Sequence, residues 1–199
     1  MGVHLLKRPA VFLDRDGVIN RNVLNPLTQA WESPLSPDQL QLMPGASSAM
    51  RALREAGFLL FVVSNQPNAA KAKTSPAMLH AIHDRLLEFL QRDAVEVDAF
   101  YYCFHHPHGV VAEFSGPCEC RKPSPFFLFQ ARDQFAVDLE SSWMVGDRRS
   151  DVECGLAAGV HTIRIVNPGE ESVAGPEQPQ PEFVAENLAA ASAIILQQR

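Results

Sequence analysis

Ala10-Val11-Phe12-Leu13-Asp14-Arg15-Asp16-Gly17-Val18 joins an apolar run to two aspartates and a glycine. The apolar run reads as a buried strand, and the glycine lets the backbone turn away directly after the acids. Two carboxylates this close can divide their chemistry. One stays ionised as nucleophile and metal ligand, while the other keeps a proton and serves as general acid. Alone, Asp-x-Asp-Gly is more often a turn or a calcium-type loop. The stretch gains its meaning from three further polar signals at the ends of later strand-like runs.

Working outward, apolar runs alternate with segments of helical period, the pattern of an α/β fold with a mostly parallel sheet. After a first strand over 10–13, further strands are expected over 58–63, 95–102, 142–145 and 161–166. Helices are expected over 46–56, 125–135, 148–158 and 188–198. Another starts at Thr74-Ser75-Pro76 and buries Leu79, Ile82, Leu86 and Leu90 along one face. Gly57 and Gly159 read as helix stops. Prolines exclude a helix across 20–43 and make 167–182 a proline-rich loop. In an open parallel sheet, ligands bind beyond the carboxyl ends of the strands. There the polar signals fall: Asp14 and Asp16, then Ser64-Asn65, then Asp147. Arg121-Lys122 precedes the helix at 125–135 and can return beside them.

The 199 residues are 46% hydrophobic and 20% charged, and a formal charge of −6 gives no footprint for a polyanionic partner. No apolar run nears the roughly 20 residues that span a bilayer. The opening residues also lack the apolar core of a signal peptide. The expectation is one domain over 1–199, cytoplasmic and monomeric, with neither nucleic acid nor membrane as partner. No Gly-x-x-x-x-Gly-Lys-Ser/Thr loop and no Gly-x-Gly-x-x-Gly occurs, which argues against a P-loop or dinucleotide site. Acids around a cleft with a lysine and a hydroxyl suit a phosphoryl group and Mg²⁺ instead.

Cys103-Phe104-His105 and Cys118-Glu119-Cys120 supply three thiolates and an imidazole, a donor set for a closed, structural zinc site. His106 and His108 are rival nitrogen ligands. The plain alternative is that these cysteines are small buried hydrophobes, and Cys154, alone in a helical pattern, reads that way.

Four stretches together resemble the haloacid dehalogenase (HAD) superfamily. Phe12-Leu13-Asp14-Arg15-Asp16-Gly17-Val18-Ile19-Asn20, Val63-Ser64-Asn65-Gln66, Cys120-Arg121-Lys122-Pro123 and Met144-Val145-Gly146-Asp147-Arg148-Arg149-Ser150-Asp151 are similar, in order, to its four motifs. The wording is most similar to the histidinol-phosphatase/heptose-bisphosphate-phosphatase branch. The resemblance implies a Rossmann-like, HAD-type sheet flanked by helices, with a zinc-binding loop over 103–120 and no large cap domain. It implies that Asp14 attacks phosphorus and that Asp16 is acid and then base. Ser64 and Asn65 would bind phosphoryl oxygens, Lys122 would neutralise charge, and Arg121 would bind substrate. Mg²⁺ would be held by Asp14, the Asp16 backbone carbonyl and Asp147, with Asp151 backing Lys122 or a metal-bound water. The branch's zinc pattern matches Cys103, His105, Cys118 and Cys120. Read singly, Asp147 is a helix N-cap, Ser64 a polar strand end and Lys122 a surface lysine.

The expected reaction is Mg²⁺-dependent hydrolysis of a small phosphorylated sugar, with D-glycero-D-manno-heptose 1,7-bisphosphate as the expected substrate. Alternatives are histidinol phosphate, another sugar or polyol phosphate, or a zinc-stabilised binding protein with a degenerate site. Where the branch usually has Ser-Gly-Ile-Ala-Arg-Gly, this chain has Pro67-Asn68-Ala69-Ala70-Lys71-Ala72-Lys73. Lys71 or Lys73 is the candidate to replace that arginine in holding a second anionic group.

Overall fold

A computed structural model describes residues 7–26, 29–167 and 179–198. The chain begins with β1 (Ala10–Leu13) and a short antiparallel hairpin of β2 (Val23–Leu24) and β3 (Trp31–Glu32). It continues through α1 (Ala46–Glu55), β4 (Leu59–Asn65), α2 (Pro76–Arg92), β5 (Ala99–Cys103) and α3 (Phe126–Phe135). The remaining elements are β6 (Trp143–Gly146), α4 (Arg149–Ala158), β7 (His161–Ile165), β8 (Phe183–Ala185) and α5 (Leu188–Gln197).

Six strands form one sheet in the order β5-β4-β1-β6-β7-β8, and every pairing is parallel. Counting only these strands along the chain gives 3-2-1-4-5-6, the doubly wound order. Its switch point lies between β1 and β6, so the crevice there opens at Asp14 and Asp147. All four residues of β1 are buried, as a strand covered on both faces requires. Val11 and Leu13 pack with Met50 of α1, Ile82 of α2 and Ile195 of α5. Ala10 and Phe12 pack on the other side with Leu128 of α3 and Cys154 of α4. Cys154 is therefore a core residue.

The expected period of α2 is met, and its N-cap Ser75 accepts a hydrogen bond from Met78 N. The strand expected over 95–102 starts only at Ala99. Residues 94–98 instead close α2: Ala94 is left-handed (φ 53), and Val95 N donates to Leu90 O. Among its described residues the region 20–43 carries no α-helix, and the β2–β3 hairpin within it is too short to show as periodicity. Most of the proline-rich 167–182 segment lies outside the described residues. Among the described residues no helix is long and apolar enough to cross a membrane.

Ile82 is fully buried between α2 and the sheet. Ile82→Ala is expected to cost about 2–5 kcal/mol through lost burial and a residual cavity. Urea unfolding followed by circular dichroism would measure this as a lower midpoint with an unchanged slope.

Candidate active site

The carboxyl ends of β1, β4 and β6 bring the predicted residues together. Asp14 N donates to Val145 O of β6 (2.9 Å), and the chain then winds into a tight loop. In that loop Ile19 N and Asn20 N both donate to Arg15 O (2.8 and 3.0 Å). Gly17 takes φ 82, and a Cβ there would lie 2.1 Å from Asp147 Oδ2. A Cβ on Gly146 would lie 2.2 Å from the Asp151 Cβ. Glycine at these two positions lets the acids of β1 and β6 close on one another. Asp14, Asp147 and Asp151 are all buried, and each brings an oxygen within 4.8 Å of the others.

Lys122 enters this group from the loop before α3 and is 3% exposed. Its Nζ lies 2.9 Å from Asp14 Oδ1 and 2.6 Å from Asp151 Oδ1, and donates to Val63 O at 2.6 Å. Burial opposes charge on this amine, but the two carboxylates outweigh it and hold its pKa above the ordinary lysine value. The Lys122 backbone is fixed as well: its N–H donates to Asn65 Oδ1 (3.0 Å), and its carbonyl accepts from Asn65 Nδ2 (3.1 Å). Asn65, expected beside Ser64 at the phosphate, thus also holds the segment that carries Lys122. Both polar ends of that amide are engaged by one neighbouring backbone. Asp151 is bound at both oxygens, by Lys122 and by Arg148 N (2.9 Å) at the start of α4.

Asp16 occupies a different charge environment. Arg15 Nε and Nη2 donate to its Oδ1 at 3.1 and 3.0 Å, and Asn20 Nδ2 adds a third bond at 2.9 Å. Gln66 Nε2 donates to Oδ2 at 2.6 Å. Burial pushes this carboxyl up, yet Arg15 and the hydrogen bonds from Asn20 and Gln66 hold it below the usual carboxylate range. Ser64 is buried, and its hydroxyl accepts from Gln66 Nε2 at 3.0 Å. Arg15, Asn20 and Gln66 stand inside the quoted motifs, yet the sequence reading gave them no role. The available signal was an arginine wedged between two acids at a strand end.

Beside these residues lies an open crevice of about 320 Å³, the size of a small-metabolite site. Asp14, Asp16 and Lys122 line it, with Trp31 and Glu32 from the hairpin. Lys71, Lys73, Arg121 and Arg148 give it a cationic side. Lys73 Nζ pairs with Glu32 Oε1 at 2.7 Å, which ties the loop after β4 to the hairpin. Burial, with Lys73 and Arg121 nearby, depresses the Lys71 pKa. The crevice interior sets Asp14, Asp16, Asp147 and Asp151 against two buried cations, Arg15 and Lys122, with Arg148 on the rim. A hard oxygen donor set with surplus negative charge fits a divalent cation of the Mg²⁺ type.

Beyond β5, Cys103, His105, Cys118 and Cys120 form a second cluster. The Sγ–Sγ separations are 3.3 Å (Cys103–Cys120), 3.6 Å (Cys103–Cys118) and 3.7 Å (Cys118–Cys120). His105 Nδ1 lies 3.7 Å from Cys120 Sγ and 4.0 Å from Cys103 Sγ. Tetrahedral ligands at zinc bond lengths stand roughly 3.5–3.8 Å apart. A disulfide needs about 2.05 Å, so the geometry fits a metal site and not a bridge. Arg121 Nη1 donates to His105 O (3.1 Å), which joins this cluster to the crevice.

The HAD-hydrolase-like family model matches residues 119–191. The D-glycero-beta-D-manno-heptose-1,7-bisphosphate 7-phosphatase of Escherichia coli K12 is 38% identical over 162 residues, 81% of each chain. The D-glycero-D-manno-heptose-1,7-bisphosphate 7-phosphatase of Thermosynechococcus vestitus is 39% identical over 193 residues, 94% of each. Among solved structures, the D,D-heptose 1,7-bisphosphate phosphatase of B. bronchiseptica, complexed with magnesium and phosphate, superposes with a TM-score of 0.79 at 29% identity. That match covers 96% of this chain and 99% of the other.

Lys122→Met is expected to destabilise the protein by about 3–5 kcal/mol, because it leaves Asp14 and Asp151 buried without their cation. The deficit should shrink as pH falls, because burial pushes the Asp151 carboxyl up and its protonation removes the stranded charge. Denaturant unfolding of both proteins across pH 4–8 would show it, and a pH-independent difference would contradict it.

Proposed function

The chain belongs to the D-glycero-D-manno-heptose-1,7-bisphosphate 7-phosphatase family of HAD-like hydrolases, and from that premise we propose that it removes the 7-phosphate of this sugar bisphosphate through an aspartyl phosphate on Asp14. The observation that carries the reading is the buried contact of Asp14 with Lys122 at the end of the central strand, beside an Asp16 held by other partners.

An Asp14 oxygen bonds to phosphorus as the bond to the sugar oxygen breaks, and that oxygen takes a proton from Asp16. Asp16 then takes a proton from water, whose oxygen bonds to phosphorus and frees Asp14. Asp16 begins below its ordinary pKa; the incoming phosphate dianion, a like charge beside it, raises that pKa, so that Asp16 takes up from solvent water the proton it delivers to the leaving oxygen. Lys122 faces the nucleophile and offsets charge on the transferring group, and the Ser64 hydroxyl donates to a phosphoryl oxygen. Asp14, Asp147 and the Asp16 backbone carbonyl would hold Mg²⁺, which when bound neutralises charge on the phosphoryl oxygens. Asp151 is left as the anchor of Lys122. Lys71, Arg121 and Arg148, which line the cationic side of the crevice, suit the distal 1-phosphate.

Cys103, His105, Cys118 and Cys120 would hold a structural Zn²⁺. The cluster is filled by protein ligands and sits next in sequence to Arg121 and Lys122, so its task is to fix that segment. Freshly purified protein is expected to contain about one zinc per chain by elemental analysis. Cys118→Ser should lose it and unfold at lower temperature. Metal-free native protein would remove the assignment.

The decisive assay compares kcat/KM for heptose 1,7-bisphosphate, heptose 7-phosphate and histidinol phosphate with Mg²⁺ present, and the bisphosphate should lead. Asp14→Asn should abolish turnover. Asp16→Ala should lower it by roughly 10²–10⁴-fold, the range for lost acid–base catalysis. Substantial activity in Asp14→Asn would end the mechanism.

A further inference from the structure

Gln66 is 1% exposed and touches three residues of the crevice through one amide. Its Oε1 accepts from Arg15 Nη2 at 2.8 Å, and its Nε2 donates to Asp16 Oδ2 at 2.6 Å and to Ser64 Oγ at 3.0 Å. The amide can sit only one way round. Arg15 has no acceptor to offer and an ionised Asp16 has no donor, so oxygen must face the one and nitrogen the other. The backbone is fixed too, because Gln66 N donates to Cys103 O (2.7 Å) at the end of β5. Arg15 is braced in turn: its guanidinium lies 5.7 Å from the centroid of the Tyr102 ring, whose hydroxyl meets His83 Nδ1 at 3.1 Å.

We propose that Gln66 is a positioning residue that sets the Asp16 carboxyl relative to Ser64, so that the proton donor and the phosphate-binding hydroxyl are held in register. The inference rests on the phosphatase reading, and it adds a residue that acts through Asp16 and Ser64 rather than on the reacting atoms. Two bonds from one rigid amide fix the separation of Asp16 Oδ2 and Ser64 Oγ, whichever loop carries each. Arg15 alone cannot do this, since it reaches Asp16 and Gln66 but makes no bond to Ser64. Without the amide, Asp16 keeps Arg15 and Asn20 and turns about them, and its proton no longer lines up with the leaving oxygen. The geometry of proton delivery is lost first, because an acid misplaced by an ångström loses much of its advantage.

The test is leaving-group dependence. An alkyl phosphate needs a proton on its leaving oxygen, whereas p-nitrophenyl phosphate departs as a stable phenolate and needs little help. Gln66→Met is expected to lower the ratio of kcat/KM for the sugar phosphate to kcat/KM for p-nitrophenyl phosphate by about tenfold or more. This loss has the direction of Asp16→Ala and lies within the range of acid–base catalysis. The ratio does not depend on the fraction of enzyme that is folded, so partial destabilisation leaves the readout intact. Gln66→Glu, which keeps the acceptor toward Arg15 but places an acceptor against Asp16, should lower the ratio as well. Equal losses on both substrates, or no change on either, would overturn the proposal and leave Gln66 a packing residue. Wild-type protein that hydrolyses neither substrate would instead overturn the phosphatase reading.

Discussion

The buried ammonium of Lys122 is the constraint on which the rest of the site depends. A lysine is costly to bury unless each of its protons finds an acceptor. Here the acceptors come from three places: Asp14 at the end of β1, Val63 in β4 and Asp151 in the first turn of α4. Satisfying one cation therefore pins a central strand, its neighbour and a helix start against each other. Asn65 completes the arrangement by gripping the Lys122 backbone at both its N–H and its carbonyl. The same short segment carries Cys118 and Cys120 into the thiolate cluster and Arg121 into the crevice. A metal at that cluster would act on the chemistry through this covalent continuity and through the hydrogen bonds that Arg121 makes to His105 O and Gln66 makes to Cys103 O.

Asp14 and Asp16 show how two identical side chains, two residues apart, are given different work. Asp14 shares Lys122 with a second carboxylate, while Asp16 has Arg15 largely to itself with two amide donors. The separation follows from the turn after β1. Had the strand continued, residues 14 and 16 would point to one face and compete for one cation. Asn20 closes the turn by donating its side chain back to Asp16. The glycine at position 17 then leaves room for Asp147 to approach.

What the sequence disclosed tracks the range over which each feature is decided. Leu79, Ile82, Leu86 and Leu90 lie on one helix, so their spacing alone marks the buried face. The acids at strand ends were legible because a parallel sheet gathers its carboxyl ends whatever the connections do. Cys103, His105, Cys118 and Cys120 were legible because their donor set has few other uses. Gln66 and Arg15 were not, since glutamine and arginine usually face solvent, and their burial follows from a contact between residues 51 apart in sequence. Asn65 has a part the sequence did not announce: besides standing next to Ser64, its amide holds the Lys122 backbone at both its N–H and its carbonyl. The β2–β3 hairpin was silent because two-residue strands carry no measurable period.

The crevice is also a place where stability and function oppose each other. Asp14, Asp147 and Asp151 lie within 4.8 Å of one another at their oxygens, and like charges at that distance repel strongly where water is scarce. The fold tolerates them because Lys122 bridges Asp14 and Asp151, and because the doubly paired, buried β1 holds the loop that carries Asp14 in place. Lys122 and the sheet restrain that repulsion without removing it. A divalent cation bound here would relieve it directly, and a phosphate dianion would find in the same space the ammonium of Lys122 and the cations of the crevice rim. Each ligand would offset the charge that the other brings. Under the proposed reaction, the acids that cost the fold stability would couple metal to phosphate, and binding of the pair would return that stability to the folded chain.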